Sequence, residues 1–402
     1  MEKYILPNKL KLIYEKNNSK LTSICISIDA GASKESTKLG IAHATEHMLY
    51  KGTKKRTEKK INEELSGIFG MQNAMTNYPY VIYYGTLLDE DVEHGLELFS
   101  DILLNPIFPE EGFKEEMSVI SEELKEWDDD LEQFCEDKLF FNAYSTSRLK
   151  HPIIGTKDSL ESISLEDIKR FYYDFYVPEN TTIAIVSNLD FERVKSIVLN
   201  LFNGWDNQDT TPLVTHYETP QGYFVEEKAG INSSKVQMIF PIHELDFPQL
   251  KALRIFNEIF GEGVNSALYE ALRTENGLVY DIKTKIAYEK GIKLFKIIFS
   301  TSENNVEQAI MLINNCIEKI PNIIEINDFK QTFKSFKLKR LVREEKGIIL
   351  AKELSTYDTM FGDGSIYLDE IESLEEISKD FVEEVALKVL RNPSVQVINP
   401  RS

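Results

Sequence analysis

The stretch "LGIAHATEHMLYKGT" at residues 39–53 places two of the chain's six histidines four residues apart, with a glutamate directly before the second. In a helix, His43 and His47 lie one turn apart on the same face. Glu46 directly precedes His47 and lies one residue round the helix from it. Neutral imidazole is a good zinc ligand, and a carboxylate at this spacing could act as a base beside the ion. The stretch predicts a zinc site, and the competing interpretation is a chance pattern on a solvated helix.

A third ligand must come from elsewhere, because a catalytic zinc ion takes three protein ligands and keeps one open position. The stretch "FKEEMSVISEELKEWDDD" at residues 113–130 is typical of a long helix rich in glutamate. Glu116 and Glu123 are seven residues apart and therefore share a face. Spacing alone does not separate Glu123 from Glu122 or Glu126 as the ligand, and an acidic solvated helix is the alternative for most of these residues.

Length and composition limit the class of protein. A chain of 402 residues with 42% hydrophobic and 28% charged residues is typical of a globular protein of two to three domains. We find no apolar run of the roughly 18 residues that a membrane span needs. The net charge of -20 argues against nucleic acid as a partner. It suits a cationic peptide substrate, although the charge could serve solubility alone.

The start of the chain and the cysteines indicate a compartment. The first residues, "MEKYILPNKLKLIYEKN", form a strand-like pattern without the basic, apolar and small-residue zones of a signal peptide. Cys25, Cys135 and Cys316 are far apart, and no pair has metal or redox spacing. We expect reduced thiols and a cytoplasmic protein.

The order of strand and helix patterns in the first half returns in the second. A polar stretch with prolines and glycines separates the halves. We expect an α+β fold of two similar α/β sandwich domains, each a mostly antiparallel sheet packed with helices, related by internal duplication. The boundaries are 1–205 for the zinc-binding domain, 206–222 for the linker and 223–402 for the second domain. Ser164 and Asp167 also predict a capping box that starts a helix.

The stretch at 39–53 resembles the inverted zinc signature of the pitrilysin/insulinase family of metallopeptidases, the inverzincins. The resemblance is greatest to the shorter branch that includes the mitochondrial and bacterial processing peptidases, and it covers nearly the whole chain. It implies that His43, His47 and Glu123 bind one zinc ion per chain. It further implies that Glu46 is the catalytic base and that Glu116 is the acid next to a ligand histidine.

Two further stretches resemble family elements. "GMQNAMTNYPYVIYYGTL" at 70–87 is similar to the edge strand that pairs with substrate backbone, which implies that Asn73, Ala74 and Thr76 bind substrate. "ALRTENGLVYDI" at 271–282 is similar to the Arg–Tyr element, which implies that Arg273 and Tyr280 hold substrate and stabilise the oxyanion. Without the resemblance, a surface salt bridge and a core aromatic would be the default interpretations of Arg273 and Tyr280.

The resemblance implies a zinc-dependent endopeptidase that hydrolyses peptides or short unfolded segments inside a closed dimeric chamber. Because one chain carries both the zinc motif and the Arg–Tyr element, we expect a homodimer. Two alternatives are a catalytically silent peptide-binding subunit and one half of a heterodimeric peptidase that trims leader peptides.

Overall fold

The computed structural model describes residues 1–206 and 216–401, so most of the predicted linker lies outside the described residues. The strands are β1 (Glu2–Ile5), β2 (Lys11–Lys16), β3 (Leu21–Ile28), β4 (Phe69–Thr76), β5 (Val81–Leu88), β6 (Thr181–Ser187), β7 (Tyr223–Lys228), β8 (Ser234–Pro241), β9 (Val279–Glu289), β10 (Ile292–Thr301) and β11 (Ser394–Pro400).

The helices of the first half are α1 (Ile41–Leu49), α2 (Glu58–Ile68), α3 (Val92–Leu104), α4 (Glu110–Trp127), α5 (Leu131–Ala143), α6 (Lys157–Ser162), α7 (Leu165–Phe175) and α8 (Phe191–Phe202). Those of the second half are α9 (Phe247–Phe260), α10 (Ala267–Tyr269), α11 (Val306–Glu318), α12 (Ile320–Ile326), α13 (Phe329–Glu344), α14 (Gly347–Phe361), α15 (Ser365–Asp369) and α16 (Lys379–Val389). The predicted capping box is present, with Ser164 and Asp167 exchanging hydrogen bonds at the start of α7. None of the described helices has both the length and the apolar character needed to cross a bilayer.

The strands form two sheets with matching topology. The first sheet has the order β1-β2-β6-β3-β5-β4 and the second has the order β7-β11-β8-β10-β9. In each sheet one pair is parallel, β2 with β6 and β7 with β11, and the other pairs are antiparallel. If β1 is left out, the two sheets have the same strand order, with β2 to β6 of the first sheet corresponding in chain order to β7 to β11 of the second. The predicted α+β class with two similar, mostly antiparallel domains is confirmed.

The chain divides into two compact units, and each unit takes one segment from the other half of the sequence. Unit 1 comprises Met1–Lys125, Pro152–Val214 and Leu341–Asp369, and unit 2 comprises Glu126–His151, Thr215–Arg340 and Glu370–Ser402. In unit 1, helix α14 from the second half packs on β3 and β6. In unit 2, helix α5 from the first half packs on β8 and β11, the equivalent strands.

Apolar side chains explain why each helix stays on its sheet. In unit 1, α14 packs against the sheet through Ala351, Leu354, Tyr357 and Met360, which meet Ile13, Cys25, Ile82, Ala184 and Val186. In unit 2, a larger core joins α9, α11 and α16 to β8, β10 and β11. Burial of this much apolar surface is the dominant favourable term in folding. Helix α1, which carries the predicted zinc-site histidines, packs on α7 and β4 in unit 1.

Candidate metal centre

Helix α1 begins at a position that suits glycine. Gly40 has a left-handed φ of 88°, and a Cβ there would lie 2.4 Å from the carbonyl oxygen of Ile154. The first backbone donors of the helix are satisfied by Glu35, whose buried carboxylate accepts hydrogen bonds from the N–H groups of Gly40 (3.1 Å) and Ala42 (3.0 Å). These contacts fix the start of the helix that carries both motif histidines.

Three side chains converge between α1 and α4. The Nε2 atoms of His43 and His47 are 3.2 Å apart, and Oε2 of Glu123 lies 3.8 Å from the first and 3.7 Å from the second. A tetrahedral ion with bonds of about 2.0–2.2 Å needs neighbouring donors about 3.3–3.6 Å apart. Among the described residues, this is the only group of three potential ligand side chains drawn together this way. The three observed separations lie close to this spacing, so small side-chain adjustments would let the donors hold a zinc ion.

The two rings differ in how their other nitrogens are held. Nδ1 of His47 lies 2.9 Å from Oε2 of Glu116, while Nδ1 of His43 is buried without a hydrogen-bond partner in the described part of the chain. Burial, together with the neighbouring His47, lowers the pKa of His43 to about 3, so this ring is neutral at pH 7. For His47, burial opposes the charged form, but the hydrogen bond to Glu116 and the surrounding carboxylates raise the pKa overall.

Glu46 lies on the same helix and is 8% exposed. Its Oε2 accepts a 2.5 Å hydrogen bond from the Oγ1 hydroxyl of Thr76 on β4. Burial raises the pKa of Glu46 above its ordinary value, against the opposing effect of the Thr76 hydrogen bond. A buried carboxylate with a raised pKa is a suitable acceptor for a proton near neutral pH.

Of the remaining predicted site residues, all but Arg273 lie on edge strands; Arg273 lies in the helical turn Glu270–Thr274. Asn73, Ala74 and Thr76 are on β4, the outer strand of the first sheet, and the side chain of Asn73 is exposed. Tyr280 is the second residue of β9, an outer strand of the second sheet, and is 58% exposed, so it is not a core aromatic. The Arg273 guanidinium lies over the ring of Tyr269, 5.5 Å from its centroid, in unit 2.

Two features of the centre were missed from the sequence. The cap from Glu35 had a weak signal, an acidic residue shortly before a helix that lacks a Ser, Thr, Asp or Asn cap. The side-chain contact from Thr76 to Glu46 had no local signal, because the two residues are 30 positions apart.

Two family models match the chain in succession. The model described as "Insulinase (Peptidase family M16)" matches residues 11–157. The model described as "Peptidase M16 inactive domain" matches residues 162–336. The first covers α1 and α4, and the second covers the region of Arg273 and Tyr280.

Several curated relatives are similar over much of the chain. "Uncharacterized zinc protease YmxG" of Bacillus subtilis is 24% identical over 384 residues, which is 94% of this chain and 91% of the relative. An "Uncharacterized zinc protease" of Rickettsia bellii is 26% identical and covers 80% of this chain and 78% of the relative. "Probable mitochondrial-processing peptidase subunit beta" of Arabidopsis thaliana is 32% identical over 58% of this chain and 43% of the relative.

Solved structures share the fold. A protease from Helicobacter pylori superposes with a TM-score of 0.88 at 20% identity, over 100% of this chain and 99% of the other. A "peptidase M16 inactive domain" from Pseudomonas fluorescens gives a TM-score of 0.88 at 16% identity, over 100% and 98% of the two chains. At these identities the likeness concerns the fold alone.

Proposed function

The chain belongs to the insulinase family of peptidases, peptidase family M16, and from this premise we propose that it is a zinc-dependent endopeptidase. Its substrates are peptides or short unfolded segments. The observation that carries the proposal is the convergence of His43, His47 and Glu123 beside the buried carboxylate of Glu46. Relatives named zinc proteases support the same activity.

The ligands in this proposal are Nε2 of His43, Nε2 of His47 and the carboxylate of Glu123, with one zinc ion per chain. A zinc ion held there supplies Lewis acidity, which polarises a peptide carbonyl and lowers the pKa of water toward about 7. Glu116 orients the ring of His47 by its hydrogen bond to Nδ1.

Glu46 moves the proton in the proposed reaction. Its carboxylate accepts a proton as the water oxygen forms a bond with the peptide carbonyl carbon. The same proton then passes to the leaving amine nitrogen as the C–N bond breaks. The hydrogen bond from Thr76 restricts the Glu46 carboxylate to one orientation, which supports a single group acting at both stages.

The substrate is proposed to bind as an added strand beside β4. Because β4 pairs with β5 alone among the described strands, its other edge can offer backbone groups to an extended peptide. Asn73, Ala74 and Thr76 are the residues proposed to bind this peptide. Backbone groups alternate between the two edges of a strand, so Asn73 on one hand and Ala74 and Thr76 on the other would contribute through different groups, backbone or side chain. Main-chain pairing depends on the extended backbone of the peptide more than on its side chains, so we expect loose sequence specificity.

Arg273 and Tyr280 are proposed to hold substrate and stabilise the oxyanion. By the family resemblance, they would act in the zinc site of a partner copy, within a closed chamber formed by a cytoplasmic homodimer. The exposure of Tyr280 supports a role toward a ligand or partner.

A digest of a mixed peptide library, read by mass spectrometry with and without chelator, tests the activity. We expect cleavage that chelator abolishes and zinc restores. Glu46→Gln should retain stoichiometric zinc and lose turnover by at least about 10²–10⁴-fold, the usual contribution of a general base. Normal cleavage by Glu46→Gln would overturn the mechanism, and an inert, metal-free wild-type protein would overturn the function.

A second candidate is a subunit that acts only beside a related chain, either as a silent peptide-binding partner or as one half of a peptidase that trims leader peptides. It is favoured by the match to a family model described as an inactive domain and by relatives named as a beta subunit. Gel filtration of the protein expressed alone, with metal analysis and a peptide assay on each peak, distinguishes it from the homodimer.

A further inference from the structure

Lys51 follows α1 and lies four residues after His47. Its side chain is only 6% exposed, and its ammonium contacts three carboxylates. Nζ donates to Glu58 on α2 (2.9 Å) and to Glu115 (3.3 Å) and Glu116 (3.1 Å) on α4. A lysine is rarely buried unless its charge is paired, and here one ammonium connects the residue that follows α1 to helices α2 and α4.

The aliphatic part of Lys51 packs against Gly112 on α4. A Cβ added at Gly112 would lie 2.9 Å from Cε of Lys51 and 3.3 Å from its Cβ. Ordinary side chains at this position would displace the lysine or push the two elements apart. The glycine therefore allows the end of α1 and the first half of α4 to approach closely.

Glu116 connects this contact to the metal centre. One of its oxygens, Oε2, lies 2.9 Å from Nδ1 of His47, and the other, Oε1, accepts from Nζ of Lys51. Because each oxygen of the carboxylate has its own partner, the carboxylate is restricted in position and in rotation. Glu116 is also the only carboxylate among the described residues that holds the outer nitrogen of a ligand ring.

We propose that Lys51 is a positioning residue for the zinc centre: its ammonium holds Glu116 against His47 and its stem sets the distance between α1 and α4. The two helices carry the two kinds of ligand, the imidazoles of His43 and His47 on one and Glu123 on the other. The separation of these donors is therefore preset by Lys51 before metal binds. This inference rests on the proposed function, since it concerns the same zinc site.

Lys51→Met tests the proposal, because methionine keeps most of the stem and removes the charge. We expect zinc to bind about 10–100-fold more weakly, the usual effect of losing an outer partner of a metal ligand. Zinc affinity is measured by competition with a chelating dye. Lys125→Met is the matched control, because Lys125 is an exposed lysine on α4 that pairs with Glu122 and does not contact Glu116. The control should bind zinc like wild type.

A double-mutant cycle with Glu116→Gln separates positioning from general stability. If Lys51 acts through Glu116, Lys51→Met should weaken zinc binding much less in the Glu116→Gln background than in wild type. Lys51→Arg should restore part of the affinity, because a guanidinium can still reach Glu116. The absorption spectrum of the cobalt-substituted protein should change in Lys51→Met and remain wild-type in Lys125→Met.

Gly112→Ala provides a variant expected to fold, because alanine is favoured over glycine in a helix. Its methyl group would displace the Lys51 stem. We therefore expect a zinc affinity lower than that of wild type and higher than that of Lys51→Met. Wild-type affinity in folded Lys51→Met and Gly112→Ala, or full additivity in the cycle, would overturn the positioning role. Failure of the wild-type protein to bind zinc would instead overturn the proposed function.

Discussion

The Oγ1 hydroxyl of Thr76 donates a 2.5 Å hydrogen bond to Oε2 of Glu46, which ties the last residue of the edge strand β4 to the proposed proton carrier on α1. The strand proposed to bind substrate and the carboxylate proposed to act on it are therefore mechanically connected. A peptide paired with β4 would be placed relative to Glu46 by the same residue.

We predict that Thr76→Val lowers kcat about 10- to 100-fold with little change in KM. Valine keeps the shape of the side chain and removes the donor to Glu46. A hydrogen bond to a charged group contributes about 1.5–3 kcal/mol, and each 1.36 kcal/mol corresponds to a factor of ten in rate. Steady-state kinetics on a fluorogenic peptide measure both constants. Thr76→Ser keeps the hydroxyl and should keep most of the activity; equal losses in both variants would refute a role for the hydrogen bond.

We predict that Glu123→Gln weakens zinc binding by at least about 100-fold, more than the roughly 10–100-fold cost of losing an outer partner. The amide is a poorer ligand than the carboxylate that lies within 3.8 Å of both histidine Nε2 atoms. Glu122→Gln is the matched control, because Glu122 is the adjacent glutamate, is exposed and pairs with Lys125. Metal content and dye competition report the result. Equal effects of the two variants would contradict ligation by Glu123.

The sequence was informative where spacing alone sets the geometry. His43 and His47 share a face because a helix brings residues four apart together, so their pairing needed no tertiary information. The identity of the third side chain did need it, since Glu122, Glu123 and Glu126 have similar local patterns and only the packing of α4 on α1 brings one of them to the rings. The resemblance to a family supplied that information.

The exchange of helices between units could not be predicted from local pattern. Helices α5 and α14 each carry apolar residues for one sheet, and both sheets offer equivalent strands with apolar faces. Nothing in the residues of α14 specifies β3 and β6 rather than β8 and β11. Which sheet α14 packs on depends on tertiary contacts between residues hundreds of positions apart. One example is the hydrogen bond from Lys11 to Asp358 at 2.9 Å.

We predict that Glu370→Ala destabilises unit 2 by about 3–5 kcal/mol, the usual cost of leaving a buried ion pair without one partner. Glu370 is fully buried and binds Arg254 (2.8 Å) and Arg340 (2.7 Å). Arg340 and Glu370 also flank the segment 341–369 that belongs to unit 1. Thermal unfolding and limited proteolysis measure the effect. Glu372→Ala, an exposed change two residues away, should leave the unfolding temperature unchanged; an equal shift in both variants would contradict the prediction.

We predict that Asp137 makes the protein less stable as pH rises from about 4 to about 6. Burial raises the pKa of Asp137 from 3.8 to about 6, against the hydrogen bonds from Trp127 and Gln133. In this range the folded protein keeps a proton that the unfolded chain has lost, so the free energy of unfolding falls with pH, by about 1–3 kcal/mol in total, and levels off above pH 6. Urea unfolding followed by tryptophan fluorescence at several pH values measures the slope.

Asp137→Asn isolates this contribution, because the amide cannot ionise and can still accept the hydrogen bond that Nε1 of Trp127 donates at 2.8 Å. Other carboxylates titrate over the same range, so the informative quantity is the difference in unfolding free energy between variant and wild type. That difference should grow in favour of the variant from pH 4 to pH 6 and then stay constant. Above pH 6 the carboxyl of Asp137 is ionised in both the folded and the unfolded wild-type protein, so its contribution no longer depends on pH. Asp129→Asn makes the same chemical change at an exposed neighbour and is the matched control for the substitution itself. A difference that does not change with pH would mean that Asp137 titrates in the folded protein as it does in the unfolded chain.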